Sequence, residues 1–248
     1  MSRNHYIMII ITLLEGFMFI CSLLTIVGLV FLLMYLPEKI RGASVRGLML
    51  KSAVSCMFIF VGIAATACSG AEFGYFVIGG LVCGLLGDLW LDLKFIYPAS
   101  DEEYTRPGFL AFAAGHLFYI IGMLRCFKGL PPVWFISAVI AAFLIGFAAV
   151  FMAPLLEQDY GKYKGISLFY APFLFGTTTI SAALSIRTGF SHISLTLMLI
   201  GGVLFALSDL VLGGTYFGKG HDRPIDYILN YAFYYGAQFL IAWSVLFA

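Results

Sequence analysis

Charged side chains are scarce in this chain of 248 residues. Asp, Glu, Lys and Arg make up 11% of it, less than half of the roughly 25% found in a typical soluble domain. No stretch is polar enough to form a separate soluble domain, so the sequence predicts a single unit over residues 1–248. The net charge of +1 gives no electrostatic footprint for nucleic acid. The five cysteines form no Cys-x-x-Cys pair, which excludes zinc-ribbon and dithiol redox motifs.

Long apolar segments dominate the chain, and 62% of its residues are hydrophobic. A membrane-spanning helix needs about 20 mainly apolar residues. The pattern therefore predicts an all-α polytopic membrane helix bundle of about eight transmembrane helices, with antiparallel neighbours because the loops are short. The first apolar segment continues to about Leu36, too far for a secretory signal, so we expect a retained helix. The helices are predicted near residues 8–35, 48–68, 73–94, 108–127, 133–154, 166–186, 193–215 and 226–247.

Lysines and arginines predict the orientation, because cytoplasmic loops carry an excess of them. The side that holds the loops after helices 1, 3, 5 and 7 carries nine, and the other side carries four: Lys39, Arg41, Arg46, Lys94, Arg106, Lys162, Lys164, Lys219 and Arg223 against Arg3, Arg125, Lys128 and Arg187. We therefore expect a multi-pass protein with both termini outside. Its membrane is either a bacterial cytoplasmic membrane or that of the endoplasmic reticulum.

Ionisable side chains at membrane depth are costly, so they usually face the bundle interior and serve a function. Six candidates stand out: Glu15, Lys51, Asp88, Asp92, His116 and Asp209. Counting 1.5 Å of rise per residue from the nearest charged loop predicts that Asp88, His116 and Asp209 share the cytoplasmic half. Lys51 enters from the same side. Glu15 lies toward the other side, and Asp92 is predicted to be a solvated helix end.

The surroundings of these residues favour a packed, inward-facing site. Gly80, Gly84 and Gly87 follow one side of helix 3 and permit close helix contacts. Tyr119 shares a face with His116. The last helix carries a polar aromatic stripe at helical spacing, formed by Tyr231, Tyr234, Tyr235 and Gln238. A structural reading also stands for each group: the aspartates as polar contacts between helices, the histidine as a satisfied core residue, and the stripe as packing.

Four motifs follow in a characteristic order, and together they resemble the YhhN family of lysoplasmalogenases over roughly helices 2 to 8. They are a GD pair, an aromatic residue followed by HxxY, an SDxxL segment and a YxxAQxLI segment, with a lysine early in the second helix. Here they fall on Gly87-Asp88, Phe112 with His116 to Tyr119, Ser208-Asp209 to Leu212, Tyr234 to Ile241, and Lys51. Three features depart from the pattern: Ser52 in place of proline, Asp92 in place of an apolar residue, and a long acidic loop from Pro98 to Pro107.

The resemblance implies cleavage of the vinyl ether bond of lysoplasmalogens without a cofactor or metal. It also implies a lysophospholipid substrate drawn from the bilayer. One of Asp88 and Asp209 would be the general acid, and the other would stabilise the cation and deprotonate water; the sequence leaves the order open. His116 would orient a carboxyl group or carry protons. The substrate contacts implied are Lys51, through the phosphate, and Tyr119, Ser208, Tyr234, Tyr235 and Gln238.

Three other classes are weighed against this one. A zinc-dependent hydrolase needs three histidines, or histidines with aspartate, at one depth, and only His116 is available. A proton-coupled transporter using Asp88 and Asp209 as a relay is the main alternative, with Gly213-Gly214 as a weak sign of a broken helix. A structural or receptor-like bundle would not need the polar cluster.

Overall fold

The computed structural model describes residues 3–218 and 223–248, with side chains at residue 12 and from residue 14 onward. These residues form eight α-helices and no strand, as predicted. Seven of them, α1 to α7, are long and apolar enough to cross a membrane, so the chain is a multi-pass membrane protein. The helices are α1 (Arg3–Arg41), α2 (Val45–Ser69), α3 (Phe73–Ile96), α4 (Asp101–Cys126), α5 (Pro132–Phe151), α6 (Lys164–Arg187), α7 (Ile193–Phe217) and α8 (Pro224–Ser244).

The last helix, α8, buries most of its polar side chains inside the bundle. It packs against α7, α2, α1 and α3, so its polar side chains face other helices rather than lipid. Its 21 residues extend about 31 Å, which is close to the thickness of the bilayer core. Its exposed side chains include Ile225, Ile228 and Leu229, so the helix combines a buried polar face with an apolar outer one.

Two helices lie at the periphery and present large apolar side chains outward. On α1, Phe19 and Leu33 are each 69% exposed, and on α5 Val133 and Leu144 are 72% and 66% exposed. α5 packs mainly against α6. Continuous apolar surfaces of this kind suit contact with acyl chains, where water offers no partner for polar groups.

The three glycines of α3 lie where other helices press closest. A Cβ atom at Gly87 would lie 2.6 Å from the Phe112 ring of α4, and one at Gly80 would overlap the Tyr119 ring. A Cβ atom at Gly84 would lie 2.5 Å from Gln238 Nε2 of α8. Glycine at these positions therefore lets α3 pack directly against both α4 and α8.

The acidic segment before α4 was expected to be a loop as far as Pro107, and this was wrong. α4 begins at Asp101, directly after a short 3-10 turn. The Asp101 carboxylate accepts hydrogen bonds from Thr105, at 3.1 Å, and from Tyr163. Acidic residues in a first turn also interact favourably with the helix dipole. Lys219, one of the basic residues from which the orientation was predicted, lies outside the described residues.

Candidate active site

A buried network of two lysines and two aspartates joins α1, α2 and α3. Lys51 Nζ lies 3.2 Å from Asp88 Oδ1 and 3.2 Å from Asp92 Oδ1, and Lys39 Nζ lies 3.5 Å from the same Asp92 oxygen. The four formal charges sum to zero. An ion pair inside a protein is tolerated only where close geometry and hydrogen bonds offset the loss of hydration. We refer to these four residues as the charge quartet.

Hydrogen bonds complete the coordination of both carboxylates. Asp88 Oδ2 accepts from Ser55 Oγ and from Tyr234 OH, each at 2.8 Å. Asp92 Oδ2 accepts from Tyr35 OH at 3.3 Å. Each carboxylate thus has one oxygen that faces lysine and another that faces hydroxyl donors, an arrangement that stabilises the ionised form.

One expectation about this region was wrong: Asp92 was predicted to be a solvated helix end. Lys51 was predicted to lie near the interface and to contact the phosphate, and the structure shows it paired with two buried carboxylates. The structure leaves only 4% of Lys51 and 6% of Asp92 exposed. Counting residues along one helix could not predict the burial of Asp92, because the side chains that contact it, Tyr35 and Lys39, come from α1. Glu15, in contrast, is exposed and apart from the cluster, as expected.

A cavity of about 90 Å³ lies beside the charge quartet, and α2 to α8 all contribute to its wall. Lys51 and Asp88 form part of that wall, and Asp209 and Ser208 of α7 form another part. Most of the remaining surface is apolar. The lining includes Leu91, Phe109, Phe112, Ala149, Val150, Ala171, Leu174, Phe175, Ala206, Leu210 and Leu212. The space thus has one charged wall and a long apolar remainder, which suits an amphiphilic ligand.

Asp209 differs from Asp88 in its partners. Its Oδ2 accepts a hydrogen bond from Tyr170 OH of α6 at 2.5 Å. Among the described residues, no lysine, arginine or histidine forms an ion pair with it. Asp88 and Asp209 therefore face the same cavity, one beside a cation and the other beside a phenol. Nearby, burial raises the pKa of Tyr160 above its usual value, so this phenol of the cavity wall stays neutral.

Serine and asparagine side chains hold α7 and α8 together beside Asp209. Asn230 Nδ2 donates to the Ser208 carbonyl oxygen at 2.9 Å and to Ser208 Oγ at 3.0 Å. Both residues line the cavity. The contact fixes the part of α7 that carries Asp209, so Ser208 has a positioning role as well as access to the cavity.

His116 does not line the cavity. A Cβ atom at its neighbour Gly115 would lie 3.4 Å from Cys83 Cβ, so His116 is level with Cys83 on α3. Asp88 is five residues further along that helix, a displacement of about 7.5 Å. The sequence count predicted that both residues lie in the same half of the membrane, and this separation of more than one turn is compatible with that prediction.

The His116 ring is enclosed by other partners. Its Nδ1 atom is 3.0 Å from Thr177 Oγ1, and its centroid lies 4.6 Å from that of Phe205 and 5.9 Å from that of Tyr170. The Nε2 atom is buried and has no hydrogen-bond partner among the described residues. The histidine thus contacts Tyr170, the donor to Asp209, and neither aspartate directly.

Three of the predicted substrate contacts form a chain that ends on Asp88. Tyr119 OH donates to Gln238 Oε1 at 3.1 Å, Gln238 Nε2 donates to Tyr234 OH at 3.1 Å, and Tyr234 OH donates to Asp88. Of the three, only Tyr234 lines the cavity. Tyr235 OH donates to the Lys51 carbonyl oxygen at 3.4 Å and also lies outside the cavity wall. The structure therefore brings Tyr234 to the cavity and places the others behind it.

Sequence reasoning missed four residues that hold the site: Lys39, Ser55, Tyr170 and Asn230. Two had a usable signal. Ser55 is four residues after Lys51 and so shares its helix face, and Asn230 is four residues before Tyr234 and extends the stripe on α8. Lys39 and Tyr170 had no such signal, because their contacts come from other helices.

The described residues contain no group of three or more His, Cys, Asp or Glu side chains placed to share a metal ion. Comparison with known proteins gives one match. A model of the YhhN family matches residues 48–245, which is most of the chain. No curated protein and no solved structure matches it. The matched range begins within α2 and so includes Lys51, both cavity aspartates and all of α8.

Proposed function

Because the chain belongs to the YhhN family, we propose that it hydrolyses the vinyl ether bond of lysoplasmalogens. The products are a fatty aldehyde and glycerophosphocholine or glycerophosphoethanolamine. The observation that carries the proposal is a pair of aspartates on one mainly apolar cavity, of which only Asp88 has a cationic partner among the described residues. Vinyl ether hydrolysis needs a proton donor and a negative charge at the same place, and the pair offers both.

The partners of the two aspartates support an assignment that the sequence left open. Asp88 is held by Lys51, Ser55 and Tyr234, all of which stabilise a carboxylate. Within the described part of the chain, the hydrogen-bond partner of Asp209 is Tyr170 alone. A carboxyl group withdrawn from water without a counter-charge favours its neutral form. Asp209 is therefore the general acid, and Asp88 is the anionic partner.

The reaction then runs in three balanced steps. Asp209 gives its proton to the β-carbon of the vinyl ether, which leaves an oxocarbenium ion facing the Asp88 carboxylate. Water adds to the cationic carbon and loses a proton to Asp88, giving a hemiacetal. Asp88 then returns this proton to the glyceryl oxygen as the C–O bond breaks, while Asp209 takes the hemiacetal hydroxyl proton. Aldehyde and alcohol leave, and both aspartates regain their starting states, as in the two-carboxylate logic of glycosidases.

The rest of the cavity supports the same substrate class. The aliphatic and aromatic lining contributed by α4, α5, α6 and α7 offers an apolar surface for the alkenyl chain. Tyr234 holds Asp88 in place, and Tyr170 does the same for Asp209. The lipid would enter from the bilayer, and the positive-inside count places the site toward the cytoplasmic half.

The deciding experiment compares a lysoplasmalogen with its saturated-ether analogue, using purified protein and its Asp209→Asn and Asp88→Asn variants. We expect the wild type to release aldehyde from the vinyl ether only. Both variants should lose at least a hundredfold in kcat, which is the lower end for removal of one general acid or base. Full activity in either variant would refute the two-aspartate scheme.

A matched control removes a carboxylate elsewhere. Glu15→Gln makes the same change of charge on the exposed surface of α1 and should leave aldehyde release unchanged. The transporter alternative is tested in parallel with proteoliposomes. Substrate flux without product would favour a carrier, although α7 runs unbroken through Gly213 and Gly214.

A further inference from the structure

The last turn of α3 carries a buried cation that forms no close ion pair in the described part of the chain. Lys94 is 8% exposed. Its ammonium lies 3.7 Å from the centroid of the Tyr216 ring and 4.9 Å from that of Phe95. No carboxylate of the described residues lies within ion-pair distance of it, and no hydrogen bond to it is formed there. Lys94 thus differs from Lys51 and Lys39, which share the charge of Asp92.

Asp101 is the carboxylate whose charge acts most on Lys94, but it is bound by other groups. Asp101 begins the next helix and lies at the same end of the bundle, but it accepts from Thr105 and Tyr163 and pairs with Lys162 at 3.6 Å. Contacts with aromatic rings stabilise a cation by less than the burial of its charge costs. This part of the fold therefore holds a positive charge that an anionic ligand would balance.

Lys94 lies behind one residue of the cavity wall. The Tyr216 ring under its ammonium is part of the cavity wall. Along α3, Lys94 is six residues beyond Asp88, a distance of about 9 Å. Along α7, Tyr216 is seven residues beyond Asp209, about 10.5 Å. Measured along the helix axes, the charge thus lies about 9 to 10.5 Å beyond the levels of the two aspartates.

A lysophospholipid has its own anion at a matching distance. Five bonds of roughly 1.5 Å separate the vinyl ether oxygen from phosphorus, which gives a span of about 6 Å after allowance for bond angles. An ammonium–phosphate contact adds about 4 Å between nitrogen and phosphorus. With the vinyl ether between Asp88 and Asp209, the phosphate would therefore reach the ammonium of Lys94.

We propose that Lys94 binds the phosphate of the lipid substrate at the Tyr216 end of the cavity. The inference rests on the proposed function for the identity of the lipid, but the anion site itself is tested without catalysis. It also replaces the expectation that Lys51 holds the phosphate, since Lys51 is occupied by two carboxylates.

The test measures binding of a saturated-ether lysophosphatidylethanolamine, which lacks the vinyl ether bond, and of the matching alkylglycerol, which lacks the phosphate. Wild-type protein in detergent should bind the phospholipid more tightly. Lys94→Met and Lys94→Gln should each weaken phospholipid binding by roughly ten- to a hundredfold, the worth of a hydrogen bond to a charged group. Neither should change alkylglycerol binding. Lys94→Arg should retain most of the phospholipid preference, because it keeps the charge.

Lys128→Met is the matched control, since it removes one exposed lysine at the far end of α4, and it should bind both ligands as the wild type does. An unchanged preference for phosphate in folded Lys94→Met or Lys94→Gln would overturn the proposal. Displacement of the phospholipid by millimolar inorganic phosphate would overturn its assignment to a lipid headgroup. Lys94-dependent binding without aldehyde release from a vinyl ether would refute the proposed function alone.

Discussion

Removal of Lys51 should destabilise the bundle far more than removal of any surface lysine. In Lys51→Met the charge quartet would lose one of two cations and keep both carboxylates. Asp92 would retain Lys39, at 3.5 Å, whereas Asp88 would retain only its hydroxyl donors. The substitution therefore leaves a buried carboxylate without a counter-charge.

The expected size of the effect follows from the ion-pair distance. At 3.2 Å between Lys51 Nζ and Asp88 Oδ1, the Coulomb attraction is about 5 kcal/mol at an effective dielectric constant of 20. Deletion of one partner of a buried pair costs about 3–5 kcal/mol for the same reason. A second substitution, Asp88→Asn, removes the orphaned charge. The double variant Lys51→Met/Asp88→Asn should therefore recover about half or more of the loss, a non-additivity that marks direct contact.

The assay is reversible unfolding in mixed micelles, with the wild type, both single variants and the double variant measured side by side. Lys128→Met serves as the control and should change the free energy of unfolding by less than about 0.5 kcal/mol. A Lys51→Met effect as small as that of the control would refute the role assigned to the quartet. So would a double variant whose loss equals the sum of the two single losses.

Two further predictions concern His116 and the glycines of α3. His116→Gln should lower stability but keep kcat within about tenfold of the wild type, because the ring lies outside the cavity wall. Inactivation as complete as that of Asp209→Asn, at unchanged stability, would show that His116 is a catalytic residue. Gly80→Ala should cost about 1–3 kcal/mol, since its new methyl group would overlap the buried Tyr119 ring. Gly16→Ala is the control for thermal unfolding, because a Cβ atom there meets nothing within 4 Å, and an equal loss in both would contradict the packing argument.

Helix positions were predictable because apolar length is a local property of the sequence. Seven of the eight helices begin within about five residues of their predicted starts, or at the start itself. The exception is α4, where an acidic first turn and its contact with Tyr163 extend the helix into the expected loop. That contact joins residues 62 positions apart, so no local pattern contains it.

The candidate site was predictable in its members but not in its pairing. Depth counting identifies Asp88, Asp209 and Lys51 because a charge in an apolar run is visible in one helix. It does not show which charges meet. Lys51 contacts Asp88 only because α2 and α3 pack together with their polar faces in register. The count also does not show that His116 lies against Thr177 and Phe205 and contacts neither aspartate.

The pairing is also what separates two aspartates that look alike in the sequence. Each follows a small residue in an apolar helix, as Gly87-Asp88 and Ser208-Asp209. The difference arises in the neighbours: α2 brings Lys51 to Asp88, whereas α6 brings Tyr170 to Asp209. In a low-dielectric bundle, a neighbouring cation or phenol decides whether a carboxyl group carries charge. In the proposed reaction, the division between proton donor and anion is therefore set by helix packing rather than by the aspartates themselves. An exchange of Lys51 for a neutral residue would abolish that division even with both aspartates intact.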